Sequence, residues 1–128
     1  MKNLLLLLSA FFTVVFISSC NKSDPAAPAY NLEGKWTGTY TNSGGGTPSY
    51  FALTFQSGGI LMVEANNVAA PDIANGTYQL DPDSLRASFI YTTGIGVNYR
   101  IAGKYVSSSN IISGTMGINP SYTNIGVF

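Results

Sequence analysis

The sequence predicts an all-β protein, an antiparallel up-and-down β-barrel of eight short strands. Three observations carry that expectation. From Leu32 onward apolar residues alternate with polar ones at the period of two that a pleated strand imposes. Clusters of Gly, Pro, Asn, Asp and Ser interrupt this alternation at short intervals, as consecutive hairpins require. No stretch repeats its apolar residues at helical spacing, and closing a meander of this kind into a barrel removes the exposed edges of an open sheet.

The first strand spans Gly34 to Thr41, with Trp36, Gly38 and Tyr40 on one face and Lys35, Thr37 and Thr39 on the other. Trp36 is the expected core anchor at the closed end of the barrel. Gly44-Gly45-Gly46 and Pro48 connect loosely to Ser49–Phe55, where Phe51, Leu53 and Phe55 face inward. Ser57-Gly58-Gly59 turns the chain into Ile60–Ala65, which is apolar on both faces. A loop rich in Asn, Ala and Pro runs to Ile73, and Asn75-Gly76 then either makes a tight turn or leads directly into Thr77–Leu80.

Asp81-Pro82-Asp83-Ser84 is a turn in which proline presets φ and the carboxylates accept from local amides. The fifth strand, Leu85–Thr92, turns Leu85, Ala87, Phe89 and Tyr91 inward. After Gly94-Ile95-Gly96 the sixth places Val97, Tyr99, Ile101, Gly103 and Tyr105 on the same face. Ser107 to Asn110 precede a seventh strand whose inner face is Ile112, Gly114, Met116 and Ile118; Asn119-Pro120 leads to the eighth, Tyr122–Phe128. The inward glycines Gly38, Gly76, Gly103 and Gly114 either let strands bend sharply or leave space inside, and alternation alone does not choose between the two.

The N-terminus has a different character. Lys2 precedes an apolar run from Leu4 to Ile17, shorter than the roughly 20 residues a membrane-spanning helix needs, and therefore expected to be removed. The run ends in Ile17-Ser18-Ser19-Cys20, which resembles the lipobox of bacterial lipoproteins: an aliphatic residue, two small residues, then the cysteine. The resemblance implies that residues 1–19 are a signal peptide and that Cys20 is lipidated. Pro25 and Pro28 mark an expected tether over 20–31, and the alternation from Leu32 onward sets the expected barrel domain over 32–128. Cys20 is the single cysteine, so no intramolecular disulfide forms. Asn21 after the cysteine, by analogy with enterobacterial sorting, implies the outer membrane, lipid-anchored on its periplasmic or cell-surface face. A Pro-rich segment of about ten residues reaches roughly 30 Å, which holds a domain off the lipid surface.

Composition excludes whole classes of function. Formal net charge is +0, and charged residues make up 9% of the chain, so there is no basic footprint for nucleic acid. The chain has no histidine, which removes Ser-His-Asp and Cys-His nucleophile arrangements and His-bearing zinc sites. Gly44-Gly45-Gly46 lacks the lysine and following helix of a phosphate-cradling loop. Asp81 and Asp83 form a local carboxylate pair, but they flank a proline in a turn, where capping is the expected role rather than hydrolysis or calcium binding. Glu64, in an apolar strand, is a candidate acid without an identifiable partner. Arg86, Arg100 and Lys104 fall on outward faces of adjacent strands and read as a solvated surface. Asp83-Ser84-Leu85 resembles the Asp-Ser/Thr-aliphatic O-glycosylation motif of Bacteroidetes periplasmic and surface proteins, which makes Ser84 a candidate modification site.

The opening Gly34, Trp36, Gly38 and Tyr40, the consecutive hairpins, and the late Gly114, Thr115 and Gly117 together look like small lipocalin-like lipoproteins of Bacteroidetes. The similarity spans most of residues 32–128. This chain departs from that pattern at Met116, where a tryptophan is common, and in its last strand, which usually runs a few residues past the position of Phe128. The resemblance implies a calycin-type barrel with a binding role and no transferable site residues.

The expected function is therefore non-catalytic, without metal or cofactor: a membrane-anchored barrel binding a small apolar or glycan ligand. Trp36, Phe51, Phe89, Tyr99 and Tyr105 are the candidate lining of an interior cavity. The competing expectation is a filled barrel acting as a protein-interaction or inhibitor module, engaging an envelope protein through the loops Gly44–Pro48 and Val68–Ile73.

Overall fold

The computed structural model describes residues 30–128. The expected signal peptide, Cys20 and most of the expected tether lie outside the described residues. Eight strands follow one another: β1 (Gly34–Asn42), β2 (Ser49–Gln56), β3 (Ile60–Asn66), β4 (Asp72–Asp81), β5 (Ser84–Tyr91), β6 (Asn98–Val106), β7 (Ile111–Ile118) and β8 (Gly126–Val127). Each pairs antiparallel with the next, and β8 returns to β1, closing an up-and-down barrel of the lipocalin-like kind. Among the described residues the other regular element is a single 3-10 turn at Ser57–Gly59.

Register follows the inward apolar set. Trp36 stands opposite Leu53, Leu53 opposite Val63, and Val63 opposite Ala74, so one row of inward residues runs around the wall. A second row runs from Gly76 through Phe89 and Tyr99 to Ile118. A slip by one residue would turn each row to solvent, so burial enforces this pairing. The middle of the barrel is solid: Phe55, Phe89, Leu32, Leu61, Leu85, Ile101 and Val63 are the largest fully buried side chains. Each stabilises the fold by roughly 1.5–3 kcal/mol through removal from water.

One open alternative is decided and one expectation is corrected. Of the two readings of Asn75-Gly76, the strand holds and not the tight turn: the pair lies within β4, which begins at Asp72. A Cβ on Gly76 would come within 2.0 Å of Ser88 O and 2.7 Å of Phe89 Cα, so the glycine lets β4 and β5 approach closely where Phe89 fills the core. Gly38, by contrast, faces open space, so both meanings of an inward glycine occur in one barrel.

The eighth strand is two residues long, not Tyr122–Phe128. Residues 119–124 instead fold back over the outer face of β7, and Ile125 returns to the interior. Asn124 Oδ1 accepts from Ile118 N at 2.8 Å, and Ser121 N donates to Ile118 O at 2.8 Å. Gly117 makes room, since a Cβ there would stand 2.7 Å from Ser121 O. These local bonds outcompete a longer ladder for the segment.

The two ends of the barrel differ. At one, the chain preceding β1 crosses beneath the barrel and inserts Leu32, which is 2% exposed. Trp36 Nε1 donates to Leu32 O at 2.8 Å, and Tyr105 packs edge-on against both Trp36 and Tyr30, at 5.7 and 5.1 Å. Trp36 thus belongs to the closed end, as its position in the sequence predicts. Among the described residues the opposite end has no such plug.

Candidate functional site

At the open end, the C-termini of β1, β3, β5 and β7 and the N-termini of β4 and β6 converge. Their last inward side chains and the overhanging loop 92–97 enclose a cup of about 510 Å³. That volume falls in the range of small-molecule sites. Tyr40, Tyr91 and Tyr99 supply aromatic wall, Met116 and Ile125 apolar floor, and Asn42, Asn66 and Asp72 a polar side. Thr92 ties the base of the overhanging loop to β4, its N and its Oγ1 both donating to Ile73 O, at 2.8 and 3.0 Å.

The aromatic groups are braced from below. Phe89 stacks on Tyr99 with ring centroids 5.7 Å apart and meets Tyr91 edge-on at 5.8 Å; Tyr91 and Tyr99 meet edge-on at 5.4 Å. Such pairs fix ring orientation, leaving faces and hydroxyls presented to the cup. Burial, followed by the neighbouring Tyr40, Tyr99 and Asp72, pushes the Tyr91 hydroxyl well above its ordinary pKa. It therefore stays protonated and able to donate across the physiological range. Asn66 Nδ2 donates to Asp72 Oδ2, which orients that carboxylate at the rim.

The five residues expected to line one cavity are distributed over four places. Tyr99 lines the cup. Phe89 lies beneath it, 1% exposed, as its support. Trp36 and Phe51 border a second, lateral pocket of about 330 Å³, together with Gly38, Leu53, Ile112 and Phe128. Tyr105 belongs to the closed end, where its hydroxyl donates to Asn110 Oδ1 at 3.2 Å. Tyr40, Asn42, Asn66, Asp72 and Tyr91 were missing from the expected lining. For Tyr40, Asn42, Asp72 and Tyr91 the signal was parity combined with strand direction, since the last inward residues of an odd strand and the first of an even one meet at the same end; Asn66 has outward parity in β3 and sits at the strand's end with a left-handed backbone, φ 72°.

Other candidate residues have structural partners. Glu64 lies on the outer wall between Lys35 Nζ, at 2.7 Å, and Tyr50 Oη, which donates to it at 2.9 Å. The hydrogen bond from Lys35 is the main cause of a carboxyl pKa below its ordinary value, as expected for an ion pair and opposite to a general acid. Asp83 O accepts from Tyr105 N at 2.8 Å, and its carboxylate faces Lys104 Nζ at 3.2 Å, so the Asp81–Ser84 turn is bound into the sheet. Ser84 begins β5 and is exposed, its Oγ donating to Asp83 Oδ1 at 3.4 Å. Arg86 and Arg100 hold Tyr122 between them, their guanidinium carbons 5.3 and 5.2 Å from its ring centroid. Among the described residues no cluster of three or more acidic side chains suited to a metal ion occurs.

Two rim features bear on the loops. Gly44–Pro48 and Val68–Ile73 both lie at the cup end, and Val68 and Ile95 are 72% and 94% exposed. No family model, curated protein or solved structure matches the chain.

Proposed function

We propose that the protein is a membrane-tethered, non-catalytic barrel of the lipocalin-like lipoprotein type that binds a small hydroxylated ligand, a glycan fragment, in the cup at its open end. The observation that carries this reading is the combination in one cup of three tyrosines with Asn42, Asn66 and Asp72. Aromatic faces take the C–H face of a sugar ring, while amides and a carboxylate take its hydroxyls. A purely apolar ligand is less well served, because it would strip water from Asp72 and two amides without replacing their hydrogen bonds. Lipid on Cys20 would hold the domain at the outer membrane, and Ser84 would carry any O-glycan away from the cup, at the opposite end of β5.

Saturation-transfer NMR with a panel of mono- to trisaccharides on the soluble domain tests the reading. Saturable binding that is lost in Tyr99→Ala is expected. Absence of any saccharide signal together with tight uptake of fatty acids would replace the glycan by an apolar ligand. A second reading, an envelope-protein contact through the rim, is supported by the exposed Val68 and Ile95; its signature is a partner captured by the wild type and released by Ile95→Asp.

A further inference from the structure

We propose that the outer wall of the barrel carries a second binding site, a groove for a phosphate monoester, separate from the cup. The groove encloses about 430 Å³. Its floor is the outward face of β4, β5 and β6, where Thr77, Ser88 and Arg100 stand in one cross-strand row and Gln79 and Arg86 in the next. One lip is the Gly58-Gly59 turn, and the other is Tyr122, carried there by the 119–124 segment. Cup and groove share no lining residue.

The chain has two arginines, and both line this groove. No carboxylate does; among the described residues the ion pairs are made by Lys35 and Lys104 instead. Tyr122 steadies both guanidinium groups, with Arg86 Cζ 5.3 Å and Arg100 Cζ 5.2 Å from its ring centroid. A guanidinium held over an aromatic face keeps its N–H edge available to an acceptor. Arg100 is short of acceptors: its Nε is buried without a partner, and its Nη1 donates to Pro120 O only at 3.4 Å. A cation that has given up water at one nitrogen and gained no acceptor there is incompletely compensated. An anion at its remaining N–H edge restores the balance.

Two positive charges without a counter-charge match a dianion. A phosphate monoester carries a charge of about −1.5 to −2 at neutral pH and presents three strong acceptor oxygens. The two guanidinium forks and the hydroxyls of Thr77 and Ser88 supply the donors from one face. A carboxylate, by contrast, is saturated by a single guanidinium fork and would leave the second arginine uncompensated. The phosphate group reaches the wall either on a soluble ester or on a lipid headgroup, and the groove recognises the chemistry the two share.

The test uses residues 30–128, which close the barrel among themselves, and reads the two arginine Nε–H signals by proton–nitrogen NMR. Glycerol 3-phosphate should shift both signals saturably, and glycerol neither. Arg86→Gln, at an exposed position outside the core, should weaken binding about tenfold or more with an unchanged circular dichroism spectrum. Lys104→Gln, on the same wall but outside the groove, should leave affinity unchanged. Phosphatidylcholine vesicles with and without phosphatidic acid separate the two sources. Recruitment that needs phosphatidic acid and is lost in Arg86→Gln makes the headgroup the ligand; a response to glycerol 3-phosphate without recruitment makes it the soluble ester. Three results would overturn the proposal: no saturable response to either source, equal affinity for the monoanion dimethyl phosphate, or undiminished binding by Arg86→Gln.

Discussion

The two ends of this barrel are built from the same alternation of inward side chains and reach opposite results. At the closed end, Leu32 is drawn in from outside the sheet, capped by Trp36 and Tyr105, and the strand residues Phe55, Leu61 and Leu85 are fully buried. At the open end, Tyr40, Tyr91 and Tyr99 occupy equivalent inward positions, but among the described residues no segment is inserted above them as Leu32 is below, so their faces line a cup. Inward parity therefore marks a side chain as enclosed by the wall. Whether it becomes core or binding surface depends on what covers the end.

The contrast is sharpest in stability. Leu32→Ala should cost about 2–5 kcal/mol in chemical unfolding, as for other buried Leu truncations, because it opens a void at a site that strands alone do not close. Ile95→Ala, at the opposite end and fully in solvent, should change stability by less than about 0.5 kcal/mol. Equal effects of the two would erase the distinction between plugged and open ends. Trp36→Phe should cost about 1 kcal/mol or more, since Leu32 O then loses its donor within the plug.

Alkaline titration sharpens the comparison at the cup. Tyr91 has a folded pKa above its ordinary 10.0, so the stability it contributes is fully present below pH 10 and is lost as pH rises through the folded value. Tyrosinate absorbance of the wild type should show a late-ionising group, absent in Tyr91→Phe. On the outer wall the sign is reversed and the effect smaller. Glu64 has a folded pKa below its ordinary 4.5, so its contribution is present above 4.5 and lost on acidification through the folded value. The stability difference between wild type and Glu64→Gln should therefore shrink as pH falls below 4.5, measured by thermal unfolding.

Most of the barrel was legible because its determinants are local. Phe51-x-Leu53-x-Phe55 and Tyr99-x-Ile101-x-Gly103-x-Tyr105 alternate without ambiguity, and the glycine and proline turns between them fall where the strands end. Asn75-Gly76 was ambiguous because the same dipeptide serves a tight turn or a close crossing, and the choice lies with Phe89 on the neighbouring strand. Tyr122 to Ile125 alternate well enough for a strand, yet a side-chain amide from Asn124 and two arginines across the wall hold the segment elsewhere. The site was less legible than the fold for a related reason. Its polar members, Asn42, Asn66 and Asp72, stand at strand ends, where alternation stops and only the closed three-dimensional ring brings them together.

The plug at Leu32 also has a mechanical consequence. Tension applied through the N-terminal segment reaches the barrel at its sealed floor and passes into β1, which is bonded to β2 over seven successive residue pairs and to β8 over two. The load thus enters far from the mouth, along the better-secured side of the first strand. The cup opens at the pole opposite to the one where the N-terminal segment enters, so a pull on that segment loads the plugged floor and leaves the mouth at the far side of the load.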